Sequence, residues 1–153
     1  MNSTSPFLIR TAVADDQAAI RRLVREGGIN PFGLHWTRFQ VAVLPDGMLI
    51  GCGQVKPHRD GSRELASIAV TSAWQRQGVA AAIINRLQKL HPPPLWLTCL
   101  NTLVPIYARF GFAEIEQPDL LPRYYRRARQ FMRVFFWIRH DSHYLAVMRW
   151  PAT

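Results

Sequence analysis

The chain has 153 residues, 48% of them hydrophobic, and carries 19 Lys and Arg against 10 Asp and Glu for a formal net charge of +9. That balance predicts a single globular domain over residues 1–153 and excludes a disordered or low-complexity protein. No apolar run reaches the roughly 18 residues of a membrane span, no basic-then-apolar leader opens the chain, and two cysteines alone make no zinc site. A cytoplasmic protein with Cys52 and Cys99 as buried thiols is therefore expected. The surplus of arginine points to anionic partners: a nucleotide cofactor, nucleic acid, an anionic membrane or an acidic protein.

In chain order, residues 7–13 read as a first strand. Asp15 or Asp16 is placed to cap a helix reaching Arg25, with Ala19, Ile20, Leu23 and Val24 as its inner stripe and Gly27-Gly28 as its stop. Asn30-Pro31-Phe32-Gly33 turns, and residues 34–36 suit a short helical piece. Residues 39–44 and 48–56 form two strands joined by Pro45-Asp46-Gly47, a hairpin signal. Residues 64–70 are a buried strand, and from Val79 onward Ala80, Ala81, Ala82, Ile83, Ile84 and Leu87 give a helix with an apolar face. His91-Pro92-Pro93-Pro94 ends it. Residues 95–100 are a strand, residues 104–110 a short helix closed by Gly111, and residues 112–115 and 144–150 the final strands. The order predicts an α/β fold, a mixed sheet with helices on both faces.

Between the strand ending at Val70 and the helix lies Gln75-Arg76-Gln77-Gly78-Val79-Ala80. A small-residue turn at a helix start leaves backbone N–H groups unpaired and adds the positive end of the helix dipole, which makes a seat for phosphate. With Gln75, Gly78 and Ala80 at its defined positions, the segment resembles motif A of the GNAT acyl-CoA N-acetyltransferases. Ile106-Tyr107-Ala108-Arg109-Phe110-Gly111-Phe112 resembles the same family's motif B. The stretch GCGQVKPHRDGSRELASIAV is similar to small cyanobacterial and plastid-type members, some associated with arylalkylamines.

That resemblance implies a GNAT fold with a mixed, mostly antiparallel central sheet flanked by helices. It implies acetyl-CoA as co-substrate, no metal, and transfer to a primary amine by direct attack in a ternary complex. The N–H groups of Gln77, Gly78, Val79 and Ala80 would face the pyrophosphate, with Gln75 at the Gln/Arg position and Arg76 adding charge. The pantetheine arm would lie along Ile68, Ala69 and Val70, with the Val70 amide near the thioester oxygen. Tyr107 matches the family's general acid. Asn101 stands one step after the position where family members often carry an asparagine beside the coenzyme.

Glu64 is the carboxylate best placed to deprotonate the amine, because strand alternation puts Glu64, Ala66, Ile68 and Val70 on one face. Histone-acetylating relatives carry a Glu base on this strand. The bland alternative is an ion pair between Glu64 and Arg63 or Arg59. His35 and His58 are weaker candidates, each beside a loop. The acceptor, a small aromatic amine or a protein amine, would be received by residues 30–36 and by residues 117–142. That second segment exceeds the usual loop length of about 15 residues. Within it Tyr124, Ala128, Phe131, Met132 and Phe135 make one apolar stripe of a basic amphipathic helix before the last strand. The expectation is that this stripe docks on its own domain or on a second subunit, beside the acceptor cleft. Rival readings are a non-catalytic CoA-binding module, and a basic protein whose arginine helix meets nucleic acid or an anionic membrane.

Overall fold

The computed structural model describes residues 4–151; the leader reading rests partly on residues 1–3, which lie outside the described residues. The described residues cluster into two compact units, the first running to residue 56 and taking in 65–91, the second made of 57–64 and the described residues from 92 onward.

In the first unit, β1 (Leu8–Thr11), β2 (Phe39–Val43) and β3 (Leu49–Pro57) are antiparallel neighbours, followed by β4 (Arg63–Val70). The expected hairpin joins β2 to β3: Gly47 takes φ 88°, and the Asp46 carboxylate accepts the Met48 N–H at 2.9 Å. Helix α1 (Gln17–Glu26) buries Ile20, Leu23 and Val24 among Phe39, Val41, Val43, Leu49 and Cys52, the i, i+3, i+4 spacing of one helix face. Its start corrects the capping expectation. Asp16 makes no cap bond to the helix; its carboxylate accepts from Arg10 at 2.7 and 3.1 Å and from the Val13 N–H at 2.8 Å. The Arg10 guanidinium holds that carboxyl below its ordinary range. The short helical piece also sits later than expected, over Trp36–Arg38.

Helix α2 (Val79–Leu90) lies close on β3 because two glycines let it. A Cβ on Gly53 would stand 2.5 Å from Ile68 Cδ1 and 2.7 Å from Ile83 Cγ2. One on Gly51 would stand 2.7 Å from Val79 Cγ1. Any side chain at either position overlaps the first turns of the helix.

In the second unit, β5 (Leu95–Leu100) pairs antiparallel with β7 (Leu145–Trp150) along its whole length, and β7 pairs with the two-residue β6 (Ala113–Glu114). The start of β4 pairs in parallel with β5 at Glu64↔Trp96. Strand β4 belongs in part to each unit, and through it the order is β1-β2-β3-β4-β5-β7-β6. This is the expected mixed α/β class, with a mostly antiparallel seven-stranded sheet and flanking helices. Both cysteines are free and buried, and burial pushes their thiols up, Cys52 to about 12 and Cys99 to about 11. Among the described residues no helix is long and apolar enough to cross a membrane.

The 117–142 segment is a 3-10 turn (Pro118–Leu120) followed by helix α4 (Arg123–Ile138). Both its ends are tied where expected: the Ile115 N–H donates to the Val147 carbonyl at 2.9 Å, and the Tyr144 hydroxyl to Glu114 at 3.4 Å. Its docked face differs from the expected stripe by one residue. Tyr125 and Phe136 are buried, Tyr125 stacking on Trp96 at 5.5 Å beside Leu121 and Val147. The stripe of Phe131 and Phe135 is instead exposed, as are Val134, Trp137 and Ile138, with Phe131 at 71% and Trp137 at 77%.

Candidate functional site

Past Val70 the backbone makes a 3-10 turn, Ser72–Trp74, then takes left-handed geometry at Arg76 (φ 61°) and Gly78 (φ 82°). Gly78 is the N-cap of α2 and supplies no side-chain cap, so the first N–H groups of the helix are left for another acceptor. A Cβ on Gly78 would meet no heavy atom within 4 Å, so the space in front of the turn is open. An uncapped, open helix start suits an anion. Gln75 and Gln77 brace the turn from within, donating to the Val70 and Ala73 carbonyls at 3.2 and 3.0 Å. Val79 is buried and fixes the helix start, Ala80 is half-buried, and Arg76 is exposed.

Strand β4 is not a plain strand. Ser67 takes φ 58°, a left-handed conformation costing a non-glycine residue about 1–3 kcal/mol. Its hydroxyl accepts from Gln54 Nε2 at 2.9 Å, and its carbonyl accepts from the Cys52 thiol at 3.6 Å. From Leu65 to Val70 buried and half-buried residues alternate, so Ile68 and Val70 share a face with Ala66 while Ala69 points to the core. Glu64 departs from this pattern. By parity it belongs with the half-buried set, yet it is 6% exposed.

What buries Glu64 is His58, and this corrects the expected ion pair with Arg63 or Arg59. His58 Nε2 lies 2.6 Å from Glu64 Oε2, and the Thr98 hydroxyl donates to Oε1 at 3.3 Å. The imidazole stacks on Tyr124 of α4, ring centres 3.7 Å apart, and meets Tyr125 edge-on at 5.8 Å. Sequence alone gives His58 little weight, as a histidine beside a loop. The signal for it is the tight turn that follows, where the His58 N–H donates to the Ser62 carbonyl and the Gly61 N–H to the His58 carbonyl, folding the histidine back toward Glu64.

Asp60, in that same turn, binds Ser62 through its N–H and hydroxyl and accepts the Tyr124 N–H at 3.0 Å. It therefore caps α4 from outside the helix. Partial desolvation opposes ionisation, but the bonds from Ser62 and Tyr124 prevail and keep the carboxyl below its ordinary range. Asp60→Ala is expected to lower stability by about 1 kcal/mol near neutral pH, read as a fall in Tm, since a lost cap costs about 0.5–2 kcal/mol and Asp60 is exposed. A depressed carboxyl stabilises above its unfolded value of about 3.9, so the difference between variant and parent should close as pH falls below that value.

Between this turn and α4 opens a cleft of about 630 Å³, lined by His58, Arg59, Asp60, Arg123, Tyr124, Arg127, Ala128 and Phe131. Elsewhere in this unit Tyr107 sits on α3 (Val104–Ala108), half-buried and edge-on to Phe112 at 6.4 Å. Burial, reinforced by Cys99, pushes its phenol up to about 12. Asn101 pairs with β7: its side-chain oxygen accepts the Tyr144 N–H at 3.2 Å, and its own N–H donates to the Tyr144 carbonyl at 3.0 Å. Its carbonyl oxygen is thus already employed in structure.

The sequence matches the family described as the acetyltransferase (GNAT) domain over residues 34–114, more than half of the chain. The chain belongs to the GNAT acetyltransferases. No curated protein matches this GNAT chain in sequence. In fold it is similar to Rv2747 from Mycobacterium tuberculosis, crystallised with CoA and NLQ. The two share 23% identity over 92% of this chain and 97% of that one, with a TM-score of 0.66. It is similar to N-acetylglutamate synthase from Neisseria gonorrhoeae, complexed with coenzyme A and N-acetyl-glutamate, at 24% identity and TM-score 0.64. That match covers 94% of this chain and 35% of the synthase. Ard1 from Thermoplasma volcanium shares 13% identity over 97% of this chain and 99% of its own, with TM-score 0.65. GNAT enzymes use acetyl-CoA, and the uncapped, open start of α2 fits its phosphates. Among the described residues no three His, Cys, Asp or Glu side chains gather as metal ligands.

Proposed function

We propose that residues 1–153 form one catalytic domain, a cytoplasmic N-acetyltransferase that moves the acetyl group of acetyl-CoA to a primary amine by direct attack. The observation that carries this reading is the buried Glu64–His58 pair at the edge of an open cleft, on the same strand that leads into the phosphate-competent turn.

In this reading the N–H groups of Gln77, Gly78, Val79 and Ala80 receive the pyrophosphate. The amine nitrogen attacks the thioester carbonyl, the carbon–sulfur bond breaks, and Glu64, with His58 beside it, takes the proton that the amine loses. Tyr107 returns a proton to the departing thiolate. The left-handed residue within β4 refines the oxyanion donor, because Ile68 lies two residues nearer to Glu64 along the chain than Val70 does. The Ile68 amide, directly after left-handed Ser67, is the better donor, with Ala69 and Val70 along the pantetheine arm. Small aromatic amines are the acceptors to try first, given Tyr124 and Phe131 on the cleft wall.

The test is Gly78→Asp, assayed for folding and for acetyl-CoA binding by calorimetry. The left-handed region tolerates aspartate better than most residues, and the space is open, so the variant should fold. Its carboxylate would stand where the pyrophosphate belongs, so binding should be lost. A folded variant with parental affinity would remove the turn from the site.

A further inference from the structure

We infer that the acceptor amine also carries an acidic group, a carboxylate or phosphate, received by Arg59, Arg123 and Arg127. This rests on the acetyltransferase reading of the Glu64–His58 site and goes on to name the class of acceptor. The six arginines between residues 123 and 139 divide into groups. Arg126 donates to the Pro118 and Leu121 carbonyls, and Arg129 to those of Ile115 and Glu116. Those two tie the helix to its own loop. Arg123 and Arg127 are one helical turn apart and line the cleft, and their guanidiniums make no hydrogen bond or ion pair to any described residue; the same is true of the Arg59 guanidinium across from them.

Three guanidiniums thus face one cleft whose sole carboxylate, Asp60, is already occupied by Ser62 and Tyr124, leaving the lining at net +2 from three positive groups and one negative. Like charges gathered around an apolar wall repel one another until an anion enters, and guanidinium is the side chain best shaped to take a carboxylate or phosphate in two bonds. The wall itself is Tyr124, Ala128 and Phe131, a surface for a ring or alkyl body. At about 630 Å³ the cleft has the size of a small-molecule site. His58 is one of its lining residues and hydrogen-bonds Glu64, so an amphiphilic ligand held by its acid end has its amine end near a base.

The experiment compares matched amines with acetyl-CoA and the full chain: benzylamine against 4-(aminomethyl)benzoate, and ethanolamine against O-phosphoethanolamine. The acidic member of at least one pair should have a kcat/KM about tenfold higher at low salt, with the preference shrinking as salt is added. Which pair shows it separates carboxylate from phosphate. Arg123→Ala with Arg127→Ala should erase that preference through acceptor KM, leaving the KM for acetyl-CoA in place, and Arg127→Lys should keep part of it. Equal use of acidic and neutral amines overturns the inference. So does a double variant whose only defect is in acetyl-CoA KM, because the arginines would then serve the coenzyme. Calorimetry with 4-(aminomethyl)benzoate and O-phosphoethanolamine keeps the two readings apart. Arginine-dependent binding without acetylation sustains the anionic site and overturns the transferase reading. Acetylation of benzylamine with no binding of either acidic amine does the reverse.

Discussion

Tyr107→Phe is expected to lower turnover about 100-fold or more while leaving acetyl-CoA affinity within about twofold of the parent. The substitution removes one hydroxyl and keeps the ring that packs edge-on against Phe112, so the fold has little to lose. What disappears is a proton source, and positioned acids contribute about 10²–10⁴ in rate. With its phenol pushed up to about 12, Tyr107 stays protonated across any ordinary assay range and adds no limb of its own to the pH profile. A thiolate whose conjugate acid lies near pKa ~8.5 would take that proton uphill by about 3.5 units, so donation depends on burial of the departing sulfur to raise its pKa as well. Steady-state kinetics paired with calorimetric acetyl-CoA titration decide it. A rate within about twofold of the parent would reduce Tyr107 to a packing aromatic.

Glu64→Gln should cost about 10²-fold in kcat/KM at the acid end of the profile and progressively less as pH rises. The amide is close to the carboxylate in shape; its oxygen accepts from one of the two partners and its NH2 donates to the other, the Thr98 hydroxyl or an unprotonated His58 Nε2, so the turn and β5 should stay in place. The direction follows from the acceptor. At low pH the amine arrives protonated and depends on a base; at high pH it arrives neutral and needs none. Parent and variant should therefore converge toward alkaline pH. A profile merely scaled down at every pH would mean that Glu64 holds His58 and does not move protons.

Much of this was legible in the sequence, and the failures have physical causes. The turn at Gln75–Ala80 is legible as a turn because Gly78 supplies the left-handed backbone, φ 82°, from which α2 starts at Val79, and the hairpin at Pro45-Asp46-Gly47 because its turn chemistry is local. Helix α4 docks by a face that its sequence does not single out, because the sequence carries two apolar stripes side by side. The doublets Tyr124-Tyr125 and Phe135-Phe136 put an aromatic on each, so periodicity cannot choose between faces. Trp96, Leu121 and Val147 make the choice, and two of those come from far along the chain. His58 was undervalued for a related reason: an imidazole's role depends on its neighbour, and Glu64 reaches it only once the turn at Asp60-Gly61 has formed. The left-handed backbone at Ser67 leaves no mark in composition at all, since serine is unremarkable in a strand.

The closeness of α2 to β3 limits how this sequence can change. Gly51 leaves no space for a methyl group unless Val79 recedes, and Gly53 none unless both Ile68 and Ile83 recede; Val79 opens α2 directly after the turn proposed to receive phosphate. A change at Gly51 is open only with a smaller residue at position 79, and one at Gly53 only with room made at both Ile68 and Ile83, so these positions should drift together or stay fixed. In the proposed reading, the ability to hold a nucleotide is thereby tied to packing on the far side of the turn. A lineage could lose it through a single methyl group placed in β3, outside the turn itself.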